Sequence, residues 1–101
     1  MGGTAEGREA QVEIDAAVRV LRQLGPTLGR PLVDTLGGST HANMKELRAR
    51  AGGMVIRIAF AFDPLKRAIL LLGGDKGGVH QQRFYNGLIA RADRLYDEHL
   101  K

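Results

Sequence analysis

Residues Met54 to Phe62 alternate with a period of two, and this constrains the chain more than any other stretch. Met54, Ile56, Ile58, Phe60 and Phe62 share one side, and Val55, Arg57, Ala59 and Ala61 the other. That alternation, rich in β-branched and aromatic residues, specifies a half-buried strand. Asp63-Pro64-Leu65-Lys66 supplies a turn, because proline pre-sets φ and aspartate bonds back to the backbone. A second apolar run, Ala68 to Leu72, then returns beside the first. Such a reversal sets Phe60 against Ile69 and Ile58 against Leu71 in one greasy face, and leaves Arg57 on the opposite face.

A third strand is expected upstream. Gly52-Gly53 has the form of a two-residue hairpin loop, with Asn43 to Arg50 as the strand before it. This register pairs Leu47 with Ile58 on the core face and Arg48 with Arg57 on the other, where Glu46 and Arg50 also fall. Like charges directly opposed across strands are unfavourable. Three arrangements relieve the pair: the arginines splay into water, Glu46 neutralises them, or the face receives an anion.

The flanks are helical. Residues 1–8 are glycine-rich and expected to fray. From Glu9, the residues Ile14, Ala17, Val18, Leu21 and Leu24 form one stripe, ended by Gly25-Pro26. Leu32 to Leu36 fits either a short strand or a helical turn, and Gly37 to Thr40 a loop. Gly73 to Gly78 is expected to be a flexible loop, without the glycine spacing and Lys-Ser/Thr pair of a phosphate-binding loop. From about His80 a second helix carries Phe84, Tyr85, Leu88, Ile89, Ala92, Leu95 and Tyr96 at helical spacing. The expectation is an α+β domain over residues 9–101, with three to four antiparallel strands in a curved sheet and both helices on one face.

At 101 residues the chain has room for one small core. The net charge of +4 suits RNA, DNA or an acidic protein partner. The absence of cysteine excludes disulfides and thiolate metal sites, and the histidines and carboxylates lack metal-ligand spacing, so neither metal nor cofactor is expected. No apolar run is long enough to span a bilayer and no secretory leader is recognisable, so a cytoplasmic protein without membrane contact is expected.

The runs ELR (46–48), RIAFAFDP (57–64) and LLLGGDK (70–76), flanked by GPTLGRPLVDTL (25–36) and ADRLYDEHL (92–100), resemble the RelE/ParE superfamily of type II toxins, and its HigB-like branch in particular. The resemblance implies a small α+β toxin that cleaves messenger RNA on the ribosome and is silenced by a cognate antitoxin. In that branch the antitoxin usually carries a helix-turn-helix domain, through which alone the complex reaches operator DNA. The chain departs from the pattern at its start, where relatives carry a strand and MGGTAEGREA does not resemble one. Two alternatives stay open: a ParE-like gyrase inhibitor without nuclease activity, and an inactive shortened toxin that only binds antitoxin.

Metal-independent cleavage needs groups that move protons and cations around the crowded phosphate. The residues expected at the chemistry are Arg57, Lys76, Tyr85 and His80, with Arg48, Arg50 and Arg83 holding substrate. Glu46 is expected to pair with an arginine, and His41 and His99 to be structural or idle.

Overall fold

The computed structural model describes residues 5–75, 77 and 80–101, so the expected frayed start lies partly outside it, at residues 1–4. Helix α1 spans Ala5–Leu24 and is followed by a 3-10 turn, Gly25–Thr27. Strands β1 (Val33–Thr35), β2 (Lys45–Ala51), β3 (Met54–Phe62) and β4 (Ala68–Asp75) precede helix α2 (Gln81–Leu100). The strands form one antiparallel sheet in the order β1-β2-β3-β4. The α+β class is as expected, and no described strand precedes α1.

Helix α1 buries Ala17 and Leu21 and half-buries Ile14 and Val18 as expected, but Leu24, placed in the same stripe, is 51% exposed. It stops where Gly25 takes a φ of +56°, a left-handed geometry that glycine adopts without steric cost. The ambiguous stretch Leu32 to Leu36 resolves as the three-residue strand β1, which pairs with Glu46 through Asp34 and with Leu47 through Val33. Between β2 and β3 the register is as expected: Leu47 faces Ile58 and Arg48 faces Arg57. Gly52 closes this hairpin at φ +60°.

Three expectations are corrected. The two helices cover opposite faces of the sheet, not one. Ala17 and Leu21 of α1 pack with Leu47, Ala49, Ile58 and Phe60, whereas Leu88, Ala92 and Tyr96 of α2 pack with Ala59 and Ala61. The reason lies in the alternate positions of β3, where Ala59 and Ala61 are small and apolar. Ala59 and Ala61 are fully buried, so the second face is a seat for a helix as well as a place for charge.

The β3–β4 register also differs. Phe60 pairs with Leu70 and Ala61 with Ile69, and a bulge between Ala59 and Phe60 then shifts the pairing so that Ile58 meets Gly73. A one-residue slip turns side chains to the other face, and the bulge restores the alternation beyond it.

Third, Gly73 and Gly74 belong to β4 and are not a loop. A Cβ on Gly74 would stand 3.3 Å from Cε1 of Phe84, and one on Gly73 3.3 Å from Cγ1 of Ile58. The missing side chains admit α2 on one side and the Ile58 side chain on the other.

The loop between β1 and β2 is pinned to α2. The Thr40 amide donates to Asp93 at 3.0 Å, the Ser39 hydroxyl bonds the same carboxylate, and His41 Nε2 lies 2.7 Å from Asp97 Oδ1. The Tyr96 hydroxyl and the Asn43 amide both donate to the Phe62 carbonyl, at 3.0 and 2.9 Å. Asn43 thus ties off the end of β3 instead of starting β2. No helix among the described residues is long and apolar enough to cross a membrane.

Candidate functional site

Strand register places Glu46 and Arg48 two residues apart on one face of β2, and sets Arg57 directly across from Arg48 on β3. On that face α2 brings Tyr85 over the strands. The four side chains converge. The Tyr85 hydroxyl donates to Glu46, 2.8 Å from Oε1 and 3.1 Å from Oε2. Arg48 Nη2 donates to Glu46 Oε2 at 3.1 Å, and Arg57 Nε lies 3.7 Å from Oε1. The Arg57 guanidinium also stands over the Tyr85 ring, 5.9 Å from its centroid.

Glu46 is buried, and Arg48 and Arg57 keep 27% and 20% of their side chains exposed, so the cluster has a sealed floor and an open rim. Of the three ways to relieve the opposed arginines, the molecule uses the carboxylate between them. At 3.7 Å the Arg57 Nε is too far for a hydrogen bond. It is buried with no hydrogen-bond partner among the described residues, although Nη1 of the same guanidinium donates to the Val55 carbonyl at 3.3 Å. Unpaired donors of this kind are uncommon inside proteins.

Asp34, which nothing in the sequence reading singled out, completes the cluster. It pairs with Glu46 across β1 and β2, and takes Arg48 Nη2 at 3.4 Å and Arg30 Nε at 3.3 Å. The available signal was one carboxylate inside the short apolar run around Val33. A backbone bond from Thr35 leads in holding Asp34 below the usual carboxylate range, with Arg30 and Arg48 adding to it against partial desolvation. Burial is the main cause raising the Tyr85 hydroxyl above its ordinary value, helped by its bond to Glu46 and that residue's charge. Tyr85 therefore holds its proton at neutral pH. Partial burial pulls Arg48 down, but the adjacent Glu46 charge and hydrogen bond raise it overall.

The remaining expected residues are dispersed. Arg50 is exposed near the end of β2, and Arg83 is exposed in the first turn of α2. His80 is the N-cap of α2, its Nδ1 accepting from the Gln82 amide at 3.3 Å. Lys76 lies outside the described residues. His41 and His99 are structural: His41 bonds Asp97, and His99 Nε2 lies 3.2 Å from the buried carboxylate of Asp63. Among the described residues no group of histidines and carboxylates is arranged to hold a metal ion.

Chemically, the cluster offers two guanidinium groups, one protonated phenol and a buried carboxylate that orients all three. Such a set suits an oxyanion held at the rim.

The family model described as phage-derived protein Gp49-like matches residues 7–97. The chain is 51% identical over 90 residues to the "Putative toxin HigB3" of Mycobacterium tuberculosis, covering 89% of this chain and 76% of that protein. It is 49% identical over 94 residues to "Putative toxin HigB2" of the same organism, covering 92% of this chain but 46% of that protein, so it spans about half of HigB2. No solved structure matches the chain. With nearly its whole length matched by the family model and half its residues shared with HigB3, the chain belongs to the Gp49-like family and is a homologue of HigB-type toxins.

Proposed function

We propose that this chain is the toxin of a toxin–antitoxin pair and that it cleaves messenger RNA on the ribosome. The observation that carries this reading is the convergence of Arg48, Arg57 and Tyr85 on the buried Glu46 carboxylate. In the proposed reaction the ribose 2′-oxygen attacks the adjacent phosphorus as its proton passes to a base, either His80 or a solvent water. The bond to the 5′-oxygen breaks, leaving a 2′,3′-cyclic phosphate and a 5′-hydroxyl. Arg48 and Arg57 hold the phosphate oxygens through the partly exposed parts of their guanidinium groups. Tyr85 gives its proton to the departing 5′-oxygen, a role that its raised pKa permits at neutral pH. Glu46 acts as a positioning residue, keeping two like charges and a phenol aimed at one point. Arg50 and Arg83 contact the flanking message, and Lys76 and His80 are further proton-handling candidates.

A cognate antitoxin with a helix-turn-helix domain is the proposed silencing partner, and carries the pair to operator DNA. The test is to incubate the purified protein with translating ribosomes and map the message ends. Cuts leaving cyclic phosphates are expected. Intact messages would refute the nuclease reading, and inhibited supercoiling by gyrase in their place would point to a topoisomerase target.

A further inference from the structure

On the face shared with α2, two adjacent cross-strand rows each hold a pair of like charges. Asp34 of β1 stands opposite Glu46 of β2, and Arg48 of β2 stands opposite Arg57 of β3. Either pair alone is unfavourable, and each relieves the other. How that relief is shared decides where the two guanidinium groups come to rest.

Glu46 divides its carboxylate between the arginines. Oε2 accepts from Arg48 Nη2 at 3.1 Å, and Oε1 lies 3.7 Å from Arg57 Nε and accepts from the Tyr85 hydroxyl at 2.8 Å. Arg48 Nη2 also donates to Asp34 Oδ2, and Nη1 to the Pro31 carbonyl, both at 3.4 Å. Arg48 is thus held by two carboxylates and a carbonyl, whereas Arg57 has one carboxylate nearby and the Val55 carbonyl. Asp34 is itself fixed: Oδ1 accepts from the Thr35 amide at 2.9 Å, and Oδ2 stands 3.3 Å from Arg30 Nε. Its side chain is 27% exposed, so water screens its pull on Arg48 only in part.

Without the Asp34 charge, Glu46 is the one acid left paired with Arg48 among the described residues. A planar guanidinium then turns both arms onto that carboxylate, because the bidentate fork is its strongest pairing. Such a turn takes Oε1 from Tyr85 and Arg57 and draws their donors away from the point at which they aim.

We propose that Asp34 is a positioning residue for the proposed cleavage: it holds Arg48 to one oxygen of Glu46 and so leaves the other to Tyr85 and Arg57. The proposal rests on the nuclease reading above for the reaction, and on the contacts between β1 and β2 for the anchor.

The experiment measures message cleavage on translating ribosomes by the full chain, by Asp34→Asn, Asp34→Glu and Arg48→Ala, and by Asp34→Asn combined with Arg48→Ala. Asparagine keeps an acceptor for the Thr35 amide and removes the charge. Asp34→Asn should lower kcat by about tenfold or more while KM changes by less than about twofold, and Asp34→Glu should recover most of that loss. In the Arg48→Ala background Asp34→Asn should cost less than about twofold, because the group it positions is gone. In nitrogen-15 spectra of the wild type, the Arg48 Nη groups should give separate, slowly exchanging signals, which reads the anchor even where a variant fails to fold. One averaged, fast-exchanging Arg48 signal would overturn the anchor. Wild-type kcat in a folded Asp34→Asn, or an equal loss in both backgrounds, would overturn the positioning role and leave the nuclease reading standing. No cutting by the native chain would bring down that reading and this proposal together.

Discussion

Glu46 has the largest influence of any single side chain on the candidate site. Removing one member of a buried ion pair leaves the others uncompensated, at a cost of about 3–5 kcal/mol. Glu46→Ala should therefore lower unfolding stability by about 3 kcal/mol in a denaturant titration, and Glu46→Gln by less, since an amide still accepts from Arg48 and Tyr85. Tyr85→Phe should fold normally and cut roughly a hundredfold more slowly, the loss expected for a general acid. The melting temperature and the cleavage rate of the same preparation separate the two effects. Asp63 gives a pH prediction. Burial alone would raise its carboxyl, but bonds from the Arg67 amide and guanidinium and from His99 hold it well below the carboxylate range. A carboxyl depressed in the folded state stabilises above its unfolded pKa of about 4 and loses that contribution as pH falls below it. The melting temperature of Asp63→Asn should thus lie below wild type at pH 7, and the gap should close between about pH 4 and 2. The opposed arginines were legible in the sequence because Gly52-Gly53 fixes the hairpin register. His80 as a helix cap was not, since a histidine before two glutamines carries no strong capping signal.

At the level of strands and helices, the expectations that held were those set by turn chemistry, and those that failed depended on side-chain size. Gly25-Pro26 and Gly52-Gly53 end α1 and turn β2 into β3 as read. The β3–β4 bulge has no comparable marker, because Ala59 and Phe60 pattern like any strand residues and the slip is set by packing. The same holds for Gly73 and Gly74, whose role depends on how closely Phe84 and Ile58 approach them. Leu95, placed by periodicity in the α2 stripe, is 43% exposed, while Leu88, Ala92 and Tyr96 form the buried line. Gly74→Val should overpack the contact with Phe84 and destabilise by about 2 kcal/mol in thermal or denaturant unfolding. Gly74→Ala should cost less, because a single methyl needs only a few tenths of an ångström from the ring.

Taken as one body, the molecule is a sheet between two helices, and the helices leave different things uncovered. On the α1 face a groove beside β4 is apolar; on the α2 face the Glu46 cluster reaches solvent through two partly exposed arginines. That division keeps the apolar groove apart from the proposed chemistry. The alternation of β3 does not reveal it, because a side carrying Ala59, Ala61 and Arg57 reads as the unburied half of a strand, whereas the two alanines form the seat of α2. The most direct test of the account is the rate of message cleavage by translating ribosomes with wild type and with a folded Arg57→Ala variant. The account predicts cuts ending in cyclic phosphates for wild type and a loss of about a hundredfold or more for the variant. Wild-type cutting by Arg57→Ala, or uncut messages with the native chain, would contradict it.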